Sequence, residues 1–182
     1  MSKILNRYLV HFKGLKTGKH IINFDVDNAF FEEFEGSEIS KGSLSVYIEL
    51  ERMVNMMEFD IDIDGEVEVQ CDHCLEPFVI PTSFEGKLIV RISDSIQENE
   101  NIDDVWYINN NEYELNLAHY IYESICLSLP IQRYHGILGT SENDCDKGML
   151  DWLTQLSDPQ SNGSNRGDGD ERWDKLKDLM NN

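Results

Sequence analysis

Positive charge is what this chain has least of for its size. Its 182 residues hold 15 lysines and arginines against 35 aspartates and glutamates, a net charge of −20. Affinity for phosphate backbones comes from lysine and arginine, so a chain this poor in them binds naked nucleic acid weakly. Cysteine is scarce too. Four in the whole chain do not make the disulfide framework of a small secreted domain. There is no apolar run of about 18 residues, so no segment reads as a membrane-spanning helix. The opening MSKILNRYLVHFKG lacks the apolar centre of a secretory signal. Together these absences place the protein in the cytoplasm with reduced thiols, away from membranes. Familiar catalytic signatures are missing as well. There is no GxxxxGK(S/T) loop, no GxGxxG after a strand, no HExxH and no GxSxG. The many carboxylates form no catalytic constellation and read as a solvated face. No internal repeat occurs.

The charge that is present is unevenly placed. Residues 1–24 contain Lys3, Arg7, Lys13, Lys16 and Lys19, with His11 and His20, and no acid. The remaining residues carry the other 10 basic groups and all 35 acidic ones, a net −25. The first 24 residues are therefore the one stretch suited to phosphate. They also read as a strand with polar outward positions. The acidic remainder suits basic partners.

The pattern predicts an α+β fold with an antiparallel, β-rich N-terminal half. In LSVYIEL (44–50), Leu44, Val46, Ile48 and Leu50 share one face, the period of a half-buried strand. In MEFDIDIDGEVEVQC (57–71), Phe59, Ile61 and Ile63 do the same, and Val67, Val69 and Cys71 follow. Asp64-Gly65 between them is a strong hairpin signal. FVIPTSFEGKLIVRIS (78–93) reads as a further strand region interrupted near Pro81, AFFEEFE (29–35) as a short helix and SDSIQENENID (94–104) as an acidic loop.

One long helix follows. From Asn116, apolar residues recur at Leu117, Ile121, Ile125 and Leu129, flanked by Ala118, Tyr122 and Cys126, until Pro130 stops them. Cys126 on that stripe reads as a small core residue. DKGMLDWLTQL (146–156) predicts a second, short helix with Met149, Leu153 and Leu156 on one side. Asn143 or Asp144 would cap it. Cys145 would then sit in its first turn, where the helix dipole favours a thiolate. Residues 1–156 form a single domain on this reading. Residues 157–171 hold no large apolar residue and read as a flexible linker. Residues 172–182 close the chain as a short amphipathic segment, with Arg172, Trp173, Leu176 and Leu179 offered for docking onto this domain or a partner.

The informative stretch is QCDHCLEPF (70–78). Cys71 and Cys74 lie at the end of one predicted strand and in the connection to the next, a knuckle able to turn two thiolates towards one ion. A structural zinc takes four Cys or His ligands. His135 and Cys145, near the start of the last predicted helix, would complete a Cys71, Cys74, His135, Cys145 set. Such a site clips together a loop of about sixty residues and removes much unfolded-state entropy. His73 inside the pair is a poorer ligand, and His11, His20 and His119 lack ligand-like neighbours. Two other readings stay open: a reduced turn, and a redox dithiol. The second is disfavoured because the strand-like LEPFVI follows Cys74 where a dithiol site needs a helix. Asp72 and Glu76 beside the pair raise a thiol pKa.

CDHCLEPF, SICLSLPIQRYH, a cysteine ahead of a short helix and a closing DERWDKLKDL occur in an order that resembles the YceD family, the large ribosomal RNA subunit accumulation proteins. The likeness spans nearly the whole chain. It implies a cytoplasmic, non-catalytic bacterial factor for large-subunit ribosomal RNA, with the family's cysteines at Cys71, Cys74 and Cys145 and its histidine at His135. This chain departs from the pattern in its nine-residue gap between His135 and Cys145 and in carrying Cys145 alone where some relatives have a second pair. With the acidic balance, the resemblance points to ribosome biogenesis through protein contacts. The partner would be a basic ribosomal protein or a pre-large-subunit particle, with any RNA contact confined to residues 1–24. The competing readings are a dithiol oxidoreductase, an RNA-processing enzyme using carboxylates and a metal, and an acidic inhibitor of a nuclease.

Overall fold

A computed structural model describes residues 3–93, 105–137 and 145–157. The chain enters through a short 3-10 turn, Leu5–Tyr8, and strand β1, Leu9–Val10. Then come β2 (Gly18–Val26), α1 (Asn28–Phe31), β3 (Ile39–Arg52), β4 (Met56–Gln70) and β5 (Pro77–Ser93). β6 (Val105–Asn109), β7 (Leu115–Asn116), α2 (Ala118–Ser128) and α3 (Lys147–Ser157) complete the described elements. The α+β architecture expected from the sequence is present. Its sheet is mixed: five strands in the order β2-β3-β4-β5-β6, antiparallel throughout except for β5 and β6, which run parallel. β1 and β7 form a small antiparallel pair. Among the described residues, no helix is long and apolar enough to cross a membrane.

Alternation dictates which face is buried. Leu44, Val46, Ile48 and Leu50 of β3 and Phe59, Ile61 and Ile63 of β4 all face the core, because successive strand residues point to opposite sides. Tyr8, Phe30 and Phe31 close over one end, with Tyr8 and Phe30 ring centroids 4.8 Å apart. α1 is shorter than the 29–35 helix predicted. It is capped by Asp27, whose Oδ1 accepts from the Phe30 N–H at 3.3 Å. α2 crosses the inner face of β5, where Thr82 and Ser128 hydroxyls meet at 2.5 Å.

Two expectations are corrected. Asp64-Gly65 is no hairpin: β4 runs unbroken from Met56 to Gln70 and pairs along its length with both β3 and β5. The apolar phase carries the reason. A tight turn at 64–65 would set Ile63 opposite Glu66 and send Val67 and Val69 outward, whereas one continuous strand buries 59, 61, 63, 67 and 69 together. Gly65 is there for close approach instead, since a Cβ would lie 2.3 Å from the Ser43 carbonyl oxygen. Nor does Pro81 interrupt β5, which runs from Pro77 to Ser93. Proline is tolerated because that stretch of β5 has no strand on its far side among the described residues.

α2 begins at Ala118, with the Asn116 Oδ1 accepting from the Ala118 N–H at 2.8 Å. Its buried stripe is Ala118, Ile121, Ser124 and Ile125. Cys126, expected in the core, lies on the flank and is half-buried. The acidic loop 94–104, the cap candidates Asn143 and Asp144, and the tail beyond Ser157 lie outside the described residues.

Candidate metal centre and the acidic sheet face

Cys71 is the first residue after β4, and the chain turns back at once to start β5. The Leu75 N–H donates to the Cys71 carbonyl at 2.9 Å and the Cys71 N–H to the Glu76 carbonyl at 2.9 Å. Leu75 sits at φ +64°, a left-handed conformation that costs a branched residue about 1–2 kcal/mol. The knuckle is docked onto the loop after α2. The Asp72 N–H donates to the Arg133 carbonyl at 2.6 Å, and the Arg133 N–H to the Asp72 Oδ2 at 2.6 Å. The Arg133 guanidinium meets Glu38 at 2.7 Å. His73 turns away and stacks on Tyr134, ring centroids 4.9 Å apart.

This docking brings His135 under the knuckle, against Phe78. Cys145 arrives from the other side, ahead of α3. Its neighbour Asp146 caps that helix, accepting from the Gly148 N–H at 3.0 Å. Cys145 thus precedes the cap and is not in the first helical turn as expected. All four predicted ligands are buried, and their donor atoms lie within 4.8 Å of one another. Cys71 Sγ and Cys145 Sγ are 3.9 Å apart. His135 Nδ1 is 3.5 Å from Cys74 Sγ and 3.2 Å from Cys145 Sγ. A tetrahedron with Zn–S legs of about 2.3 Å and a Zn–N leg of about 2.05 Å has S···S edges near ~3.8 Å and S···N edges near ~3.6 Å. The residues present therefore fit a four-coordinate ion. The nine-residue gap to Cys145 is no obstacle, since the Cys145 Sγ lies beside the His135 ring all the same.

The thiols are not equivalent. Burial pushes Cys71 up, but backbone N–H groups of Cys74, His135 and His73 outweigh it and lower its pKa. Cys145 is raised, first by burial and then by the Cys74 and Cys71 sulfurs. The dipole of α3 therefore does not lower Cys145, whereas the backbone turn lowers Cys71. His11 lies 3.5 Å from Glu114, His20 meets the Lys16 carbonyl at 2.7 Å, and His119 packs edge-on to Phe34.

The outer face of the sheet carries a second feature. Glu58, Asp60, Asp62, Asp64, Glu66 and Glu68 alternate with the buried residues of β4 and form one row, with neighbours about 6.8 Å apart. Glu49 and Glu51 of β3 stand opposite Asp60 and Glu58, and Glu85 of β5 opposite Asp62. Lysines neutralise the ends. Lys87 pairs with Glu58 and Asp60, Lys19 with Glu49, and Lys41 with Glu68 at 3.0 Å. Among the described residues no lysine or arginine forms an ion pair with Asp62, Asp64 or Glu66. The row is written in the sequence as DIDIDGEVE, interleaved with the apolar phase.

The predicted N-terminal contact residues are dispersed. Arg7 pairs with Asp27 at 3.3 Å, Lys13 donates to the Asn110 carbonyl at 3.3 Å, and Lys19 is held by Glu49. Lys3 and Lys16 are exposed. Arg172, Trp173, Leu176 and Leu179 lie outside the described residues.

A single mixed sheet, with its Cys-x-x-Cys knuckle closed by a histidine and a cysteine from the far end of the chain, defines a β-rich protein with a buried Cys3His cluster. The chain belongs to the YceD family: the family model for the large ribosomal RNA subunit accumulation protein YceD matches residues 59–180. That span takes in β4 from Phe59 onward, the knuckle, His135 and Cys145. Comparison with curated proteins and with solved structures gave no match.

Proposed function

We propose that this protein is a non-catalytic, cytoplasmic factor for the accumulation of large-subunit ribosomal RNA, and that it works by binding basic protein with its acidic sheet face. The family description supplies the ribosomal connection. The row Asp60, Asp62, Asp64, Glu66 is the observation that carries the mode of action. Several carboxylates fixed on one rigid strand, with Asp62, Asp64 and Glu66 free of lysine and arginine among the described residues, repel RNA and attract lysine- and arginine-rich surfaces. The partner is a basic ribosomal protein or a basic face of a pre-large-subunit particle. Residues 1–24 supply whatever direct RNA contact is made.

Cys71, Cys74, His135 and Cys145 hold a zinc ion in this reading. Four protein donors leave no open position, so the ion when bound supplies a cross-link and no chemistry. The clip joins residues 61 and 74 positions apart in sequence and so fixes the loop after α2 against the sheet. Burial of the thiols, with Cys71 0%, Cys74 3% and Cys145 7% exposed, keeps them from a substrate and speaks against a dithiol enzyme.

Depletion in cells tests the proposal. The ratio of large- to small-subunit ribosomal RNA falls, and the tagged protein sediments with a pre-large-subunit particle. An unchanged ratio would sink it.

A further inference from the structure

We infer that the open edge of β5, over residues 83–87, takes up an extended segment of a partner protein as an added strand, and that the segment alternates cationic and apolar side chains. β6 covers β5 only from Ile89 to Ser93. From Pro77 to Leu88, β4 is the one strand beside β5 among the described residues. The Ile92 N–H donates towards the β4 side, to the Asn55 carbonyl at 3.0 Å. Alternate residues of a strand turn their backbone groups to opposite edges, so odd-numbered residues of β5 present theirs to the open side. Pro77 and Pro81 fall on that phase and have no N–H to offer. Ser83, Glu85 and Lys87 do. Among the described residues the edge is blunted at one end and available at the other, where a row of N–H and C=O groups without a strand partner is a template for another strand.

Side chains around this edge say what the strand looks like. Beside it runs a groove of about 410 Å³ between β5 and α2, lined by Phe84, Trp106, Tyr120 and Leu127 together with Glu85, Lys87 and Glu123. Leu127 is 81% exposed, an unusual expense for a large apolar residue unless something covers it. A strand laid along β5 places every second side chain over α2, in this groove. The intervening side chains stand on the outer face beside Glu85, with Lys87 already held by Glu58 and Asp60 and the carboxylate row of β4 one strand further on, about 10 Å away. Apolar residues suit the first set and lysine or arginine the second. This deepens the proposed contact with a basic protein and rests on that reading for the partner's charge only.

The probe is a fluorescein-labelled decapeptide of alternating valine and lysine, titrated into the full chain at physiological salt. The expected result is saturable binding, with amide shifts at Ser83, Glu85, Lys87 and Leu127. Glu85→Pro removes one outward N–H at the phase where Pro81 is already tolerated. It weakens binding by about tenfold or more with the circular dichroism unchanged. In case that variant misfolds, the same peptide N-methylated at alternate residues is tested against the unaltered chain and loses binding equally. Equal affinity of the N-methylated peptide would overturn the inference, since charge alone would then be responsible. So would shifts centred on β2, or no saturation up to about 1 mM peptide. Edge amides already protected from exchange without peptide would mean that the chain's own residues lie there. Concentration-dependent dimers would mean that a second copy does. Either overturns it. Peptide binding alongside an unchanged ribosomal RNA ratio would sink the biogenesis role and leave the docking edge standing, and the reverse pair of results would do the opposite.

Discussion

Gly65→Ala tests the close approach of a continuous β4 to β3. In a hairpin at the same dipeptide, alanine would face solvent and its cost would be that of a positive φ alone, about 1–2 kcal/mol. In the sheet, its Cβ would lie 2.3 Å from the Ser43 carbonyl oxygen, 2.6 Å from Leu44 Cα and 3.0 Å from Leu44 Cβ. Two of these are backbone atoms of β3, hydrogen-bonded across to β4, and cannot swing aside. Overpacking costs about 1–3 kcal/mol, and backbone contacts put this case near the top of that range. Alanine recovers about 0.4–1 kcal/mol by restricting the unfolded chain. The net is a destabilisation of roughly 2 kcal/mol, and for a domain of this size that lowers Tm by about 4–8 °C. Gly14→Ala is the control, because a Cβ there meets nothing within 4 Å and its effect stays within about 0.5 kcal/mol. Differential scanning calorimetry reads both. A Gly65→Ala protein that melts with the wild type would refute the register drawn here and with it the unbroken acidic row.

Three other predictions follow from single contacts. Tyr8 donates to the Asp25 carbonyl at 3.0 Å, and burial, then the charge of Asp27, raise its phenol to about 12. A raised acid favours the folded protein while it stays protonated, so stability holds below pH ~10 and is lost as pH climbs towards 12. Urea midpoints measured across that window fall in the wild type and lose this component in Tyr8→Phe. Leu75→Gly relieves the φ of +64° and gives a Tm equal to or above wild type with metal content unchanged, whereas a clear drop in Tm would show that the Leu75 side chain holds the knuckle. The double change Asp62→Lys and Asp64→Lys, on exposed positions, leaves Tm within a few degrees. It abolishes capture of a basic ribosomal protein in a pull-down, and retained capture would remove the acidic face from the mechanism.

The four donors of the cluster were legible because cysteine and histidine are rare and chemically specific. Cys71 and Cys74 announce a knuckle at a strand end, and few residues remain that could complete it. What was not legible was the backbone that brings them together, such as the paired Asp72 and Arg133 bonds, which depend on a loop some sixty residues away. Asp64-Gly65 misled because a dipeptide turn preference is local and carries no information about strand phase. The alternation from Phe59 to Cys71 never shifts, and a tight turn would have required it to. Cys126 misled for a similar reason, since one position around a helix moves a side chain by about 100° and Ser124 takes the buried place. The open edge of β5 had no sequence signature beyond Pro81, which marks where a strand is permitted to lack a neighbour.

The account stands most directly on the metal. Native mass spectrometry of the full chain, with a metal assay, is to be run on the wild type and on Cys71→Ser, Cys145→Ser and Cys126→Ser. One zinc per chain, kept in Cys126→Ser and lost in the other two, is the predicted result. A folded wild type that carries no metal, or zinc retained in Cys145→Ser at wild-type affinity, would contradict the clip that joins the knuckle to the end of the domain.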